Sequence, residues 1–233
     1  MPSFSLMGPG PCDRYDPMLN VGLTGGIASG KSTVDAMFLA RGAYLIDHDS
    51  LARRVVEKDR PAWKDIVSLF GADILFKDGS LNRVRLGEIV FSDESKRAEL
   101  DRIVHPAVFR EWMEAIERIT RQAPHGIIIS DIPLLFEAGW QDAVDVIVLV
   151  YISRDEQIRR LTERNGYTRR EAEDRLIAQM PIEDKVLRSD YIINNEGPLE
   201  STRENVDRVW DGLVEKERVK SMKGRFFKLK KKT

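Results

Sequence analysis

The chain has 233 residues, 42% of them hydrophobic and 32% charged, with one cysteine and a formal net charge of −1. This balance is typical of a folded globular protein, and a single cysteine excludes a scaffold held by intramolecular disulfides. The longest uninterrupted apolar run, residues 146–152, is far shorter than the ~18–20 residues that a membrane-spanning helix needs.

Charge is unevenly distributed along the chain. Residues 214–233 carry +7, whereas residues 1–213 carry −8. An acidic body argues against nucleic-acid binding, so no nucleic-acid partner is expected. The basic segment 221–233 is interpreted as a solvated tail, and peripheral contact with an anionic membrane surface is the alternative.

The first 18 residues are rich in proline and glycine and show no apolar periodicity. They are interpreted as a disordered leader, with neither the apolar stretch of a signal peptide nor the composition of a mitochondrial presequence. We therefore expect a cytoplasmic location. The folded domain is predicted to cover residues 19–220.

The predicted elements alternate between short apolar strands and helices. Strands are predicted over 19–23, 43–47, 127–131, 145–152 and 190–195, and helices over 31–41, 51–57, 61–70, 85–91, 95–121, 156–164, 169–178 and 199–220. Continuous apolar strands separated by helices indicate a parallel sheet that is buried on both faces. The predicted fold class is α/β, with a central, largely parallel five-stranded sheet flanked by helices.

The first strand runs into a glycine-rich loop of the form G-x-x-x-x-G-K-[ST], and a predicted helix follows it. Backbone N–H groups of such a loop, together with the helix N-terminus, form a cradle for phosphate. Within it, Lys31 reaches the β- and γ-phosphates, and the Ser32 hydroxyl can ligate Mg²⁺. The sequence therefore predicts a nucleoside triphosphate site formed by Gly25, Gly26, Ile27, Ala28, Ser29, Gly30, Lys31, Ser32 and Thr33.

Acidic residues end the next two strands of the chain. The second strand ends in Asp47-His48-Asp49, at the sheet edge where ligands bind. A kinase that acts on a hydroxyl needs a carboxylate near the acceptor oxygen, and either aspartate meets this need. A helix N-cap or loop acid is the alternative for both. Asp131 ends the third strand, where an acid often holds Mg²⁺ through water, and an acid that merely closes a strand is the alternative.

The loop and several segments beyond it resemble the dephospho-CoA kinase family, in order over about three quarters of the chain. They are GLTGGIASGKSTV, DHDSLARRV, DGSLNRVRLGEIVF, VHPAV, DIPLLFE, QIRRLTERN, RLIAQMPIEDK and DYIINNEG. The resemblance implies a P-loop fold like that of the nucleoside monophosphate kinases. It also implies that ATP phosphorylates the ribose 3′-hydroxyl of dephospho-CoA, the final step of coenzyme A synthesis.

The resemblance implies roles for individual residues. Asp49 corresponds to the catalytic carboxylate that acts together with Lys31, and helices over about 51–121 hold the acceptor. The residues implied to contact the acceptor are Asp47, Arg53, Arg83, His105, Leu135 and Phe136. The alternatives are a surface salt bridge for Arg53, a structural hydrogen bond for His105, and plain core packing for the last two.

Helices over about 156–185 are implied to form a lid that closes on the transferring phosphoryl group. Arg160 and Arg164 are its expected nucleotide contacts, with a solvated helix face as the alternative, and Asn195 lies where the family binds adenine. Ala28 replaces a glycine that is frequent in the family, which alanine tolerates if its φ is negative. A monomer or weak oligomer is expected.

Two other functions stay open on the residues alone. One is a kinase for another nucleotide or small hydroxylated acceptor. The other is a nucleotide-binding scaffold that has lost catalysis and docks through its basic tail. The joint presence of Lys31, Ser32 and Asp49 argues against the scaffold.

Overall fold

Five parallel strands form one sheet in the order β2-β3-β1-β4-β5. A computed structural model describes the backbone of residues 18–230 and the side chains up to residue 222. The strands are β1 (Leu19–Gly25), β2 (Tyr44–Asp47), β3 (Ile127–Asp131), β4 (Val146–Tyr151) and β5 (Tyr191–Asn194). The predicted five-stranded α/β sheet is therefore confirmed.

Helices connect the strands and cover both faces of the sheet. They are α1 (Lys31–Leu39), α2 (His48–Val55), α3 (Pro61–Phe70), α4 (Arg83–Ser92), α5 (Glu94–Gln122), α6 (Arg154–Asn165), α7 (Arg169–Ile177), α8 (Ile182–Val186) and α9 (Leu199–Lys230). Within the described part of the chain, none of them is both long and apolar enough to cross a lipid bilayer.

Polar side chains set the starts of several helices. Asp47, Asn82 and Asp93 each accept a hydrogen bond from a backbone N–H in the first turn of α2, α4 and α5, respectively. Thr168 and Glu171 form a reciprocal capping box at the start of α7. Local sequence chemistry thus places the helix starts that flank the sheet edge.

The core lies on both faces of the sheet. On one face, α2 to α5 pack around the fully buried Trp112 and against strand residues such as Ile128. On the other face, α1 and α9 pack through Phe38 and Leu213 against strand residues such as Ile129. Successive side chains of a strand point to opposite faces, so these neighbouring isoleucines belong to different clusters.

Most predicted bounds differ slightly from the structure, and three differences change an assignment. The closing helix was expected to end near residue 220, but α9 runs to Lys230, so residues 221–230 of the predicted tail continue a helix. The five-residue α8 was missed because it is too short to show helical periodicity. Met18, assigned to the leader, is fully buried in the core. The rest of the leader, residues 1–17, and the end of the tail, residues 231–233, lie outside the described residues.

The strand register brings the predicted site residues to one edge of the sheet. Asp131 on β3 pairs with Asp47 on β2 and with Leu23 on β1. The phosphate loop leaves β1 two residues later, after Gly25. Since all strands are parallel, both acids and the loop share the carboxyl edge of the sheet, where open α/β sheets bind their ligands.

Candidate active site

Residues 25–30 form the loop between β1 and α1, and glycine is required at its end. Gly30 is the N-cap of α1 with φ +80°, and no side chain caps the helix. A Cβ atom on Gly30 would lie 2.3 Å from the side-chain nitrogen of Asn195. The Thr33 N–H donates to the Gly30 carbonyl at 3.0 Å, whereas the N–H groups of Lys31 and Ser32 have no partner within the helix and are available to an anion.

Ala28 has φ +61°, in the left-handed region. The expectation that alanine fits here rested on a negative φ, and that condition is not met. A left-handed residue other than glycine costs roughly 1–2 kcal/mol. The phosphate loop therefore stores strain at Ala28, which its surroundings must offset.

Three amide side chains support the loop from outside. Gln157 Nε2 donates to the Ile27 carbonyl at 2.9 Å, and the Ile27 N–H donates to Gln179 Oε1 at 3.1 Å. Asn195 Nδ2 donates to the Ser29 carbonyl at 2.7 Å. Sequence reasoning gave neither glutamine a role at the loop, although Gln157 begins the quoted segment QIRRLTERN and Gln179 lies in RLIAQMPIEDK.

The Asn195 side chain is buried and forms a hydrogen bond at each end of its amide. Its Oδ1 accepts from Thr202 Oγ1 at 2.8 Å, while its Nδ2 is held by the loop. The side chain thus supports the phosphate loop, and its role as a direct cofactor contact stays a prediction. Its carbonyl accepts from Arg160 Nη2 at 2.7 Å.

The two predicted lid arginines differ in position. Arg160 bonds to Glu156 and Asn195 and approaches the Ala28 carbonyl, with 3.4 Å between Nη1 and O. Arg164 is exposed and forms no ion pair within the part of the chain whose side chains are described. Arg160 is thus held against the phosphate loop, whereas Arg164 is available at the end of α6.

Lys31 and Asp131 form an ion pair beneath the loop, with their side chains 16% and 13% exposed. Asp35, one turn along α1 from Lys31, is buried beside the same carboxylate, and its Oδ1 has no hydrogen-bond partner among the described residues. Burial and the nearby Asp131 charge raise the pKa of Asp35 to about 7. Burial also raises the pKa of Asp131, against the opposing effect of Lys31.

Sequence reasoning missed Asp35, although its spacing of four residues from Lys31 places both on one face of α1. No group of three or more acidic, histidine or cysteine side chains suited to a metal occurs in the described chain. A Mg²⁺ ion bound here would therefore depend on one or two protein oxygens, phosphate and water, which is the usual arrangement for this ion.

The two aspartates after β2 have different roles. Asp47 is the N-cap of α2, since its carboxylate accepts from the backbone N–H groups of Asp49 and Ser50 at 2.9 and 3.2 Å. Burial alone would raise the pKa of Asp47, but the hydrogen bonds from Ser50 and Asp49 lower it. The Asp47 carboxylate thus caps the N-terminus of α2. Asp49 lies in the first turn, exposed, and its carboxylate accepts no hydrogen bond from residues 18–222.

His48 points away from these acids into an aromatic cluster. Its ring is buried, with centroids 4.7 Å from Trp112 and 5.5 Å from Trp140. Neither ring nitrogen has a hydrogen-bond partner among the described residues. Burial lowers the pKa of His48 to about 4, so the imidazole is neutral at pH 7.

Two of the predicted acceptor residues are brought together. Arg83, at the start of α4, donates from Nη2 to the Arg53 carbonyl at the end of α2, at 3.1 Å. Both side chains are exposed, and neither forms an ion pair within residues 18–222. The surface salt bridge considered for Arg53 is therefore absent from the described residues. The two guanidinium groups are available to an anionic ligand.

The other predicted acceptor residues are placed less favourably. Leu135 is fully buried and Phe136 is 8% exposed, so both pack in the core, which was the alternative considered for them, and their contact with the acceptor stays a prediction. His105 lies in the middle of α5, partly exposed, with its ring 5.7 Å from that of Trp140. Its Nε2 is 3.8 Å from Asp101 Oδ1 on the same helix.

A phosphate loop at the edge of a parallel sheet, with a lysine–aspartate pair beneath it and an exposed carboxylate in the first turn of α2 at the same edge, defines a P-loop phosphotransferase. The family model described as dephospho-CoA kinase matches residues 19–201. The chain belongs to the dephospho-CoA kinase family.

Curated relatives and solved structures agree with this assignment. The chain is 51% identical to the dephospho-CoA kinase of Syntrophus aciditrophicus, over 90% of this chain and 89% of the relative. It is 46% identical to that of Geobacillus kaustophilus, over 84% and 98%. A crystal structure from Thermus thermophilus matches with 36% identity and a TM-score of 0.73, over 84% and 98%. The dephospho-CoA kinase from Campylobacter jejuni matches with 25% identity and a TM-score of 0.64, over 82% and 95%.

Proposed function

We propose that this protein transfers the γ-phosphoryl group of ATP to the ribose 3′-hydroxyl of dephospho-CoA, which yields coenzyme A and ADP. The observation that carries the proposal is the exposed Asp49 carboxylate at the start of α2, directly after β2, at the same carboxyl edge of the sheet as the phosphate loop. Because Asp47 caps α2, Asp49 is not needed to stabilise the helix start. The acceptor is the one for which the relatives are named, dephospho-CoA.

ATP binds through the loop backbone, from Gly25 to Thr33. The ammonium group of Lys31 contacts the β- and γ-phosphates, either by breaking its ion pair with Asp131 or by contacting both partners at once. The hydroxyls of Ser32 and Thr33 are exposed at the start of α1, within reach of the phosphate side of the loop.

Mg²⁺ fits the donors present at this edge. The Ser32 hydroxyl would hold it directly, and the Asp131 carboxylate would hold it through water. The bound ion would neutralise charge on the β- and γ-phosphates. Asp35, buried behind Asp131, limits how much net negative charge the pair carries, because one proton shared by two adjacent carboxyls is favoured over two full charges.

Asp49 orients the acceptor hydroxyl and takes its proton as the oxygen attacks the γ-phosphorus. Attack in line with the leaving ADP oxygen requires the acceptor on the α2 side of the loop, next to β2 and β3. Arg53 and Arg83 lie on that side and bind the anionic groups of dephospho-CoA.

The segment over residues 156–185 acts as a lid. Arg160 is fixed against the loop, whereas Arg164 is available to approach the transferring phosphoryl group when the lid closes. Closure excludes water, which would otherwise divert the γ-phosphoryl group to hydrolysis. We further infer a cytoplasmic location and a monomer or weak oligomer. The intracellular supply of ATP supports the location.

A purified-protein assay tests the function directly. ADP release would be measured with ATP and Mg²⁺, with dephospho-CoA, AMP, adenosine or no acceptor. We expect release only with dephospho-CoA, with coenzyme A as the second product. ADP release with another acceptor would support phosphotransferase activity but contradict dephospho-CoA as the substrate. If no ADP is released with any acceptor although the protein binds ATP, the scaffold function would be favoured.

A matched pair of variants tests the role of Asp49. Asp49→Asn is expected to lower kcat at least about 100-fold, because an amide cannot take the proton. Asp65→Asn removes an exposed carboxylate from α3 and is expected to leave kcat unchanged. Near-normal turnover of the Asp49 variant would rule out its assignment as the base.

A further inference from the structure

A chain of contacts links the phosphate loop to the loop that follows β3, through the end of the lid. Ile27 N–H donates to Gln179 Oε1 at 3.1 Å. The next residue, Met180, donates its N–H to Glu137 Oε1 at 2.9 Å. The same Glu137 oxygen lies 2.9 Å from Lys185 Nζ on α8.

The last contact in this chain is fixed in place. Lys185 is fully buried, and the Glu137 side chain is 22% exposed. No acceptor among the described residues is aligned for a hydrogen bond to Lys185 Nζ, so the contact with Glu137 is an ion pair. Separating the two would leave a buried charge without compensation, which is strongly unfavourable. Glu137 therefore anchors the segment from Met180 to Lys185.

The other contacts lie where lid movement would act. Helix α7 ends at Ile177, so Gln179 and Met180 lie between α7 and α8, within the segment 156–185 proposed as the lid. They line a cleft that Gly26 of the phosphate loop also lines. A Cβ atom on Gly26 would clash with Gln157 Nε2, so the lid side chains pack closely against the loop backbone.

Glu137 also belongs to the loop after β3, which lies at the sheet edge on the side where the acceptor is proposed to bind. This loop begins two residues after Asp131, and its Pro133 carbonyl accepts from Thr24 Oγ1 on β1 at 3.2 Å. Its Leu134 side chain is 46% exposed, in contrast to the buried residues that follow. A ligand at the β2 and β3 end of the edge lies against this loop.

We propose that Gln179 and Glu137 are positioning residues that couple the phosphate loop to the loop after β3, so that nucleotide binding tightens acceptor binding. The inference rests on the proposed function, since the acceptor is dephospho-CoA. Neither side chain needs to touch a reacting atom. Gln179 bonds to the phosphate loop at Ile27. Glu137 bonds to Met180, the next residue after Gln179, and so connects this segment to the loop over residues 133–137.

Calorimetric titration of dephospho-CoA, with and without Mg²⁺ and a non-hydrolysable ATP analogue, measures the coupling. In the unmodified protein the analogue is expected to tighten acceptor binding about five-fold or more, within the usual range for linked sites. In Gln179→Ala that ratio is expected to fall to about one, because the link to the phosphate loop is cut. Asp184→Asn removes an exposed carboxylate from α8 and serves as the matched control.

Glu137→Gln is the second variant, and it keeps an oxygen for the Met180 N–H while it removes the ion pair. If it fails to fold because Lys185 is left unpaired, Gln179→Ala alone decides, since it leaves the buried pair intact. A merely structural role would lower stability but leave the ratio unchanged. A ratio near one in the unmodified protein, or an unchanged ratio in Gln179→Ala, would overturn the coupling. Absence of dephospho-CoA binding under both conditions would overturn the proposed function and the coupling with it.

Discussion

Lys31 and Asp131 form an ion pair that joins the first residue of α1 to the last residue of β3. The lysine belongs to the phosphate loop motif, and the aspartate ends the neighbouring strand. Their contact keeps the ammonium group at the sheet edge, where the phosphates of a nucleotide arrive. The pair thus holds a positive charge in place before the transferring group develops its negative charge.

Replacement of Lys31 tests this arrangement. Lys31→Met is expected to lower kcat about 100-fold or more, because the developing charge on the phosphoryl group loses its nearest cation. Lys64→Met, which removes an exposed lysine from α3, is the control and should keep full activity. ADP release with dephospho-CoA as acceptor measures both variants. A Lys31 variant with control-like kcat would show that the loop backbone alone stabilises the transition state.

Ala28→Gly tests the strain in the phosphate loop. Glycine adopts φ +61° without the clash that Cβ causes, so the variant is expected to raise the free energy of unfolding by about 1 kcal/mol. Urea denaturation of both proteins measures the difference. Lower stability in the variant would mean that contacts of the Ala28 methyl group outweigh the backbone strain.

Asp35→Asn tests the buried carboxyl pair. An acid whose pKa is raised from 3.8 to about 7 holds more protons in the folded chain, so stability falls as pH rises through that window. The variant lacks this titration, and its advantage over the unmodified protein should grow from pH 4 to pH 8 by at least about 1 kcal/mol. Urea denaturation across this range provides the measurement. Parallel stability curves for the two proteins would contradict the raised pKa.

His48→Phe tests the buried imidazole, with the opposite sign. A histidine whose pKa falls from 6.5 to about 4 holds fewer protons when folded, so its contribution is complete above pH 6.5 and is lost on acidification. From pH 7 to pH 5 the unmodified protein is expected to lose about 2 kcal/mol relative to the variant. Because Asp35 and His48 oppose each other, the single variants must be compared at each pH. Equal losses in both proteins would argue against a buried neutral His48.

Local chemistry made much of the fold predictable. The phosphate loop was identified from eight consecutive residues, and two elements, 61–70 and 127–131, were predicted with their observed bounds. Apolar runs and helical spacing depend on neighbouring residues only, so they can be seen without the fold. The acids at the ends of β2 and β3 were predicted for the same reason, since parallel strands share one carboxyl edge.

Which side chains meet was decided by the tertiary structure. Asn195 was expected to contact the nucleotide, yet strand β5 and helix α9 bring it to Ser29 and Thr202, which occupy both ends of its amide. Leu135 was expected to face a ligand, but the turn after β3 buries it. Sequence alone determined that the protein binds a nucleoside triphosphate, because a short local motif is sufficient to form a phosphate-binding loop. The supports of that motif come from residues more than a hundred positions away, and only the strand order β2-β3-β1-β4-β5 brings them together.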